Sequence, residues 1–129
     1  MATKKILVVD DDKDLALGLV VRLKANDYNV VVASDAEAAV SVALKEKPDL
    51  VILDIGLPDD DGFAVMLRLQ NMVSTIGTPI IMLTGRDPAK YKEHALWVGA
   101  EAFFQKPVEN EELLAAIRQA LGESPTASP

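Results

Sequence analysis

The sequence contains no cysteine, which excludes disulfide bonds and thiolate metal sites. It is also short of positive charge, since 13 lysines and arginines face 20 aspartates and glutamates and leave a formal net charge of −7. That balance argues against a nucleic-acid-binding surface, because phosphate binding needs a basic patch. No apolar segment approaches the roughly 20 residues that span a bilayer. The first apolar run is too short for a signal peptide and ends in acidic residues.

The composition favours a single folded domain. The 129 residues suffice for one hydrophobic core and are too few for two domains of usual size. Half of them are hydrophobic and 26% are charged, which is the balance of a soluble globular protein rather than a disordered one. We therefore expect a cytoplasmic domain whose acidic charge favours solubility.

Five apolar segments predict buried strands, and a segment with helical features follows each of them. The predicted strands cover residues 5–10, 28–33, 49–54, 79–84 and 102–105. Leucines four residues apart mark the first helix, and Ser34 with Glu37 forms a capping box at the start of the second. The third helix is predicted from residue 63 to about residue 72. Asp87 and Pro88 open the fourth helix, and Gly122 ends the fifth.

This alternation predicts an α/β fold, a (βα)₅ doubly wound parallel sheet of five strands with helices on both faces and right-handed crossovers. In the flavodoxin-like strand order 2-1-3-4-5, the first and third strands are neighbours at the point where the winding reverses, and ligands bind there. Residues 1–122 make up this domain. Residues 123–129 are poor in hydrophobic side chains and are predicted to be a disordered tail or the start of a linker.

Polar side chains collect where the predicted strands end. These are Asp10 and Asp11 after the first strand, Asp54 at the end of the third, Thr84 at the end of the fourth, and Lys106 after the fifth. Because parallel strands all end at one edge of the sheet, we expect these residues on the same rim. Carboxylates without histidine or cysteine suit Mg²⁺ or Mn²⁺. Carboxylates, a divalent ion, a cation and a hydroxyl donor are the components of phosphoryl transfer to an aspartate.

Four strings of residues carry a resemblance to a known family. In order and spacing, "ILVVDDD", "DLVILDIGLPDDDG", "IIMLTGR" and "AFFQKP" resemble the receiver domain of two-component response regulators, of the kind found in chemotaxis regulators. None of the strings is decisive alone. Together, on their predicted strands, they are highly specific and cover nearly the whole chain, from about residue 4 to about residue 121.

The resemblance implies that Asp54 accepts a phosphoryl group from a histidine on a sensor kinase or a histidine phosphotransfer protein. Asp11 and Asp54 would bind Mg²⁺ directly, with Mn²⁺ as an alternative ion. The backbone carbonyl of Gly56 would complete the protein ligands, and Asp10 would act through a water molecule. Many relatives carry a larger side chain at the position of Gly56, so we expect other side chains, such as Arg86, to set the lifetime of the phosphoryl group.

The resemblance also implies a switch. Lys106 would contact the phosphoryl group, and its peptide bond to Pro107 would be cis. Thr84 would move towards a phosphoryl oxygen, and Phe103 would turn inward. The surface formed by the fourth helix, the fifth strand and the fifth helix would then change its binding partner. That partner would be a downstream domain, an output protein or a second copy of the chain. Such a protein is a regulator and not a metabolic enzyme, because it catalyses only its own phosphotransfer and dephosphorylation.

Three other interpretations are open. In a haloacid-dehalogenase-type phosphatase, Asp10 would be the nucleophile and Asp12 the general acid, with Thr84 and Lys106 in the second and third motifs. Such an enzyme needs another acidic pair downstream of the lysine, and nothing suitable follows Lys106. A flavodoxin-type binding module would need a loop rich in serine, threonine or glycine, and the loop here reads "DDDKD". A receiver that acts as an unphosphorylated scaffold would keep the fold without the chemistry.

Two acidic features have simpler interpretations. Asp12 is predicted to cap the first helix rather than to bind a metal. Residues 59–61 are three aspartates followed by Gly62, and we interpret them as a solvated turn rather than a set of ligands.

Overall fold

The computed structural model describes residues 3–123, which form five strands and five helices in strict alternation. The strands are β1 (Lys5–Val9), β2 (Asn29–Ala33), β3 (Leu50–Leu53), β4 (Ile80–Thr84) and β5 (Ala102–Gln105). The helices are α1 (Lys13–Ala25), α2 (Ala36–Glu46), α3 (Gly62–Gln70), α4 (Pro88–Trp97) and α5 (Asn110–Ala120). The predicted tail lies outside the described residues, except for Glu123, whose carboxylate accepts a hydrogen bond from the Tyr28 hydroxyl at 2.7 Å.

The strands form one parallel sheet in the order β2-β1-β3-β4-β5, which confirms the predicted doubly wound fold. Strand β1 lies between β2 and β3, and Val9 is in register with both Ala33 and Leu53. At the other side of the sheet, Thr84 is in register with Gln105. Because these residues all stand at the carboxyl ends of their strands, the polar residues that follow them meet at one rim.

Two hydrophobic clusters fill the two faces of the sheet. Along β1, Leu7 and Val9 belong to the cluster beneath α2, α3 and α4, whereas Ile6 and Val8 belong to the cluster beneath α1 and α5. Successive side chains of a strand point to opposite faces, so a strand covered on both faces must be apolar at every position. This is why the strands stand out in the sequence as continuous hydrophobic runs. No helix within residues 3–123 is long and apolar enough to cross a membrane.

Aspartate side chains cap four of the five helices. Each of these side chains accepts a hydrogen bond from a backbone N–H in the first turn of its helix. The four capping residues are Asp12, Asp35, Asp61 and Asp87. The predicted capping box at Ser34 is therefore wrong, because the N-cap of α2 is the next residue, Asp35, which accepts from the Ala38 N–H at 2.7 Å. Serine and aspartate are both good caps, and only the point at which the chain turns into the helix decides between them.

Candidate functional site

Asp10 and Asp54 lie side by side at the ends of β1 and β3. The Asp54 N–H donates to the Val9 carbonyl at 3.1 Å, and the Asp10 N–H donates to the Ala33 carbonyl at 3.1 Å. These bonds extend the sheet ladders one residue beyond the strands, so the backbone fixes the position of both carboxylates. Only 3% of Asp10 and 6% of Asp54 is exposed. Two acidic groups buried this deeply need a positive partner.

Lys106 is that partner. Its Nζ lies 2.7 Å from Oδ2 of Asp10 and 2.7 Å from Oδ2 of Asp54. The backbone N–H of Lys106 donates to the Thr84 carbonyl at 2.8 Å, which fixes the lysine beside the end of β4. Its peptide bond to Pro107 is cis, as predicted. The structure thus brings together three predicted site residues that are far apart in the sequence.

The protonation of this cluster follows from its burial. Burial raises the pKa of the Asp10 carboxyl above its ordinary value, although hydrogen bonds from Lys106 and from the Asp12 N–H act in the opposite direction. For Lys106, burial alone would lower the pKa, but the hydrogen bonds to Asp10 and Asp54, together with the negative charges of these carboxylates, outweigh burial and raise it. The lysine is therefore charged at neutral pH.

Asp11 adds a third carboxylate, and this one is exposed. One carboxylate oxygen from each of Asp10, Asp11 and Asp54 lies within 4.8 Å of the other two. Three carboxylates against the ammonium of Lys106 leave a formal charge of −2, which one divalent cation would balance. The donor set consists of oxygen atoms only, and Mg²⁺ and Mn²⁺ prefer such ligands.

The three carboxylates differ in how many partners they already have. Oδ2 of Asp10 is held by Lys106, and its Oδ1 accepts from the Asp12 N–H at 2.9 Å. Asp54 uses Oδ2 for Lys106, and its Oδ1 accepts a weaker bond of 3.1 Å from the Gly56 N–H. No hydrogen bond to the Asp11 carboxylate is present among the described residues. Asp11 is therefore the carboxylate best placed to bind an ion directly, and Asp10 is the one most suited to act through water.

Thr84 and Phe103 occupy buried positions near the rim. Thr84 is fully buried, and its Oγ1 accepts from the Arg86 N–H at 3.3 Å. Phe103 is 5% exposed and packs in the cluster beneath α2, α3 and α4, whereas Phe104 is half-buried on the opposite face. Phe103 is thus buried in this structure, and its inward turn on phosphorylation stays a prediction.

The loop of residues 55–61, between β3 and α3, lies beside the carboxylates. Within it, the Gly56 N–H donates to Oδ1 of Asp54. The Arg86 guanidinium packs against Gly56 so closely that a Cβ built on this glycine would lie 3.1 Å from the Arg86 Nη2. Gly56 therefore leaves room for the Arg86 side chain to lie against the residue whose N–H binds Asp54.

Gly62, the first residue of α3, was not singled out as a site residue in the sequence. A Cβ at this position would lie 2.3 Å from the Asp54 carbonyl oxygen and 2.9 Å from Cα of Ile55. Backbone atoms at such distances cannot move aside, so only glycine lets the start of α3 pack against the chain segment that carries Asp54. The sequence signal was the glycine after three aspartates, which we interpreted only as a turn.

Three of the four other aspartates that were singled out in the sequence accept backbone hydrogen bonds at helix starts. Asp12 accepts from the Leu15 N–H at 3.1 Å and caps α1, as predicted. Residues 59–61 are exposed. Asp61 caps α3, and Asp60 accepts only from its neighbour's N–H. Asp59 accepts hydrogen bonds from two backbone N–H groups at the start of α2. The sequence did not predict this contact, because the donors precede Asp59 by 23 and 22 positions in the chain.

Comparison with known proteins agrees with this geometry. Residues 6–118 match the sequence model of the response regulator receiver domain. The chain is 39% identical over 126 residues to the alkaline phosphatase synthesis transcriptional regulatory protein PhoP of Bacillus subtilis (strain 168). That alignment covers 98% of this chain and 52% of PhoP, so the chain spans about half the length of this relative.

Solved structures show the same relationship. A CheY-like response regulator receiver domain protein from Methanospirillum hungatei JF-1 superimposes with a TM-score of 0.86 at 30% identity, over 94% of this chain and 95% of that one. The BeF₃-activated N-terminal receiver domain of Klebsiella pneumoniae RstA gives a TM-score of 0.84 at 34% identity, over 92% and 98% of the two chains. With the acidic rim and its lysine on the same fold, this chain belongs to the response regulator receiver domain family of two-component systems.

Proposed function

We propose that this receiver domain is switched by phosphorylation of Asp54, with a phosphohistidine of a sensor kinase or phosphotransfer protein as the donor. The observation that supports this most strongly is the pair of contacts that Lys106 makes to Asp54 and Asp10 beside the exposed Asp11. The carboxylate is positioned by the backbone, is paired with a cation, and lies at the rim where a partner can reach it.

In the proposed reaction, a carboxylate oxygen of Asp54 attacks the phosphorus atom. The new O–P bond forms as the P–N bond to the donor histidine breaks, and the imidazole nitrogen keeps the electron pair. Lys106 is close enough to Asp54 to pair with an oxygen of the transferred group. The buried hydroxyl of Thr84 would donate to another phosphoryl oxygen.

The residues at the rim fit a magnesium ion, and Mn²⁺ would suit the same ligands. Asp11, Asp54 and the Gly56 carbonyl would hold the ion directly. Asp10 would reach it through water, since its Oδ1 is held by the Asp12 N–H at 2.9 Å, whereas the Gly56 N–H lies farther from Oδ1 of Asp54, at 3.1 Å. When bound, the ion supplies positive charge that neutralises the phosphoryl oxygens.

We infer that the output surface consists of α4, β5 and α5, with Thr84 and Phe103 as the switch residues. Helix α4 is weakly anchored, because Ala95 is its only buried residue. Its outer face exposes 86% of Trp97 and 42% of Leu96. Since Phe103 is already buried, phosphorylation would stabilise its inward orientation rather than create it.

The partner on this face is a downstream domain, an output protein or a second copy of the chain formed on phosphorylation. We assign residues 1–122 to the receiver domain and residues 123–129 to a tail or linker. We propose that the protein is cytoplasmic and is phosphorylated there. The protein acts as a regulator whose only chemistry is its own phosphotransfer and dephosphorylation.

Acetyl phosphate with Mg²⁺ tests the proposal without a cognate kinase. We expect one phosphoryl group per chain, which peptide mapping places on Asp54, and we expect Asp54→Asn to abolish labelling. Labelling of Asp10 that persists in Asp54→Asn would support the phosphatase interpretation instead. A folded wild-type protein that binds Mg²⁺ and is labelled by neither acetyl phosphate nor phosphoramidate would support the scaffold interpretation.

A further inference from the structure

The loop of residues 55–61 is tied to the acceptor at one end. Its Gly56 N–H donates to Oδ1 of Asp54, and Gly56 also pairs with Asp61 in an isolated antiparallel bridge. The Leu57 and Gly62 N–H groups both donate to the Ile55 carbonyl, at 3.1 and 2.8 Å. These bonds set the internal shape of the loop, but they do not fix the tip of the loop relative to the rest of the domain.

Asp59, at the tip, makes that connection. Its Oδ1 accepts from the Ala36 N–H at 2.7 Å, and its Oδ2 accepts from the Glu37 N–H at 3.1 Å. Among residues 3–123, these are the only side-chain hydrogen bonds that join the loop to an element other than the adjoining β3 and α3. Helix α2 thus supplies the polar support of the loop, in addition to the apolar packing of Ile55 and Leu57 on the core.

Helix α2 does not need Asp59 in order to begin. Asp35 already accepts from the Ala38 N–H, and its carbonyl accepts from the Ala39 N–H. Asp59 takes the two remaining N–H groups of the first turn, which usually bind water when a helix start is exposed. The Ala36 N–H is the main reason that the pKa of the Asp59 carboxyl lies below its ordinary value, so the carboxylate stays charged at the positive end of the helix dipole.

We propose that Asp59 is a positioning residue for the acceptor site: by anchoring the loop to α2, it holds the Gly56 backbone against Asp54 before a cation binds. The proposal rests on the phosphoacceptor function argued above. Removing a group that does not touch the metal but orients one of its ligands commonly weakens metal affinity about tenfold or more. The carboxylates of Asp10, Asp11 and Asp54 are placed by β1 and β3, so the loss of Asp59 should disturb the loop and leave the acidic cluster in place.

The test compares Asp59→Ala with Asp60→Ala. Both variants remove one exposed carboxylate from the same loop, but Asp60 accepts only from the adjacent Asp61 N–H. We expect Asp59→Ala to raise the Mg²⁺ dissociation constant about tenfold, and Asp60→Ala to change it by no more than about twofold. Asp59→Asn keeps one acceptor oxygen for the Ala36 N–H and should give an intermediate value.

Amide hydrogen exchange supplies a readout that needs no cation. In Asp59→Ala, the Ala36, Glu37 and Gly56 N–H groups should lose protection while the core of β3 keeps it. Equal Mg²⁺ affinities in the two alanine variants, or unchanged protection at Gly56, would overturn the proposal.

The same titration separates this proposal from the proposed function. Because it needs no phosphodonor, a wild-type protein that binds Mg²⁺ but is not phosphorylated on Asp54 would reject the function and leave the Asp59 comparison standing. A wild-type protein that binds no Mg²⁺ would overturn both.

Discussion

The ammonium of Lys106 bridges the carboxylates of Asp54 and Asp10 at 2.7 Å each. The three residues come from the ends of β1, β3 and β5, and the backbone bond from Lys106 to Thr84 adds β4 to the same arrangement. The acidic cluster therefore contains a cation of its own, and a divalent ion would join this cation rather than replace it.

Replacing Lys106 by methionine should leave two buried carboxylates without a positive partner. We expect the free energy of unfolding in EDTA to fall by about 2–4 kcal/mol, because removal of one partner from a buried ion pair is strongly destabilising. Saturating Mg²⁺ should stabilise Lys106→Met more than the wild type, since the ion supplies part of the missing charge. Urea unfolding with and without Mg²⁺ measures both effects.

Lys5→Met is the matched control for that experiment. Lys5 pairs with Glu46 at 2.9 Å, but both side chains are about one-third exposed, so the loss should be much smaller than for Lys106→Met and should not depend on Mg²⁺. Equal losses in the two variants would contradict the account of the buried cluster.

Gly62→Ala should destabilise the domain by about 2–3 kcal/mol, because the new Cβ would lie 2.3 Å from the Asp54 carbonyl oxygen. Gly77→Ala serves as the control, since a Cβ there would meet no atom within 4 Å. Urea denaturation of both variants checks the prediction. A Gly62→Ala midpoint equal to that of Gly77→Ala would show that α3 does not pack against the Asp54 segment as described.

The Arg86 guanidinium lies against Gly56, whose N–H donates to the carboxylate that is expected to be phosphorylated. We predict that Arg86→Ala shortens the lifetime of the phosphoryl group severalfold, because the Arg86 side chain limits the approach of water. Gly56→Asn should alter the lifetime as well, since its Cβ would displace the guanidinium. Dephosphorylation rates are compared with those of Arg68→Ala, an arginine exposed on α3. Wild-type rates in both test variants would refute this prediction.

We predict that the stability of the domain depends on pH through Tyr28, which lies outside the acidic cluster. Burial, and to a smaller extent the hydrogen bond to Glu123, raises the pKa of the Tyr28 phenol to about 12. A folded-state pKa above the unfolded value of about 10 means that the stabilisation is complete below pH 10 and is lost as the pH rises through 12. The stability difference between wild type and Tyr28→Phe, about 1 kcal/mol at neutral pH, should therefore shrink over that interval.

The chain has two tyrosines, so Tyr91→Phe leaves Tyr28 as the only phenol to titrate. Its phenolate absorbance should appear near pH 12 in the folded protein, and Glu123→Gln should lower that midpoint. A native-state midpoint near pH 10 would contradict both the burial of Tyr28 and its hydrogen bond to Glu123.

Much of the site could be predicted from the sequence because it depends on strand ends. Asp10, Asp54, Thr84 and Lys106 each stand at or just after the end of an apolar run, and a parallel sheet brings such residues to one rim whatever the details of packing. Asp12 could likewise be assigned as a cap from its local position.

The features that the sequence did not reveal all depend on tertiary distances. Asp59 reaches α2 across more than twenty residues, and its spacing has no local signature. The requirement for glycine at position 62 appears only when the Asp54 carbonyl is seen beside it. The choice of Asp35 over Ser34 as a cap depends on where the chain turns after β2, and both residue types fit the pattern.

The central claim is that Asp54 shares one divalent ion with Asp11 beside Lys106. Anomalous diffraction from crystals of the protein grown with Mn²⁺ tests it most directly. We predict a single strong anomalous peak within bonding distance of carboxylate oxygens of both Asp11 and Asp54, with Asp10 one water molecule away. A peak at another group of acids, such as Asp59 to Asp61, with none at the rim would contradict the account.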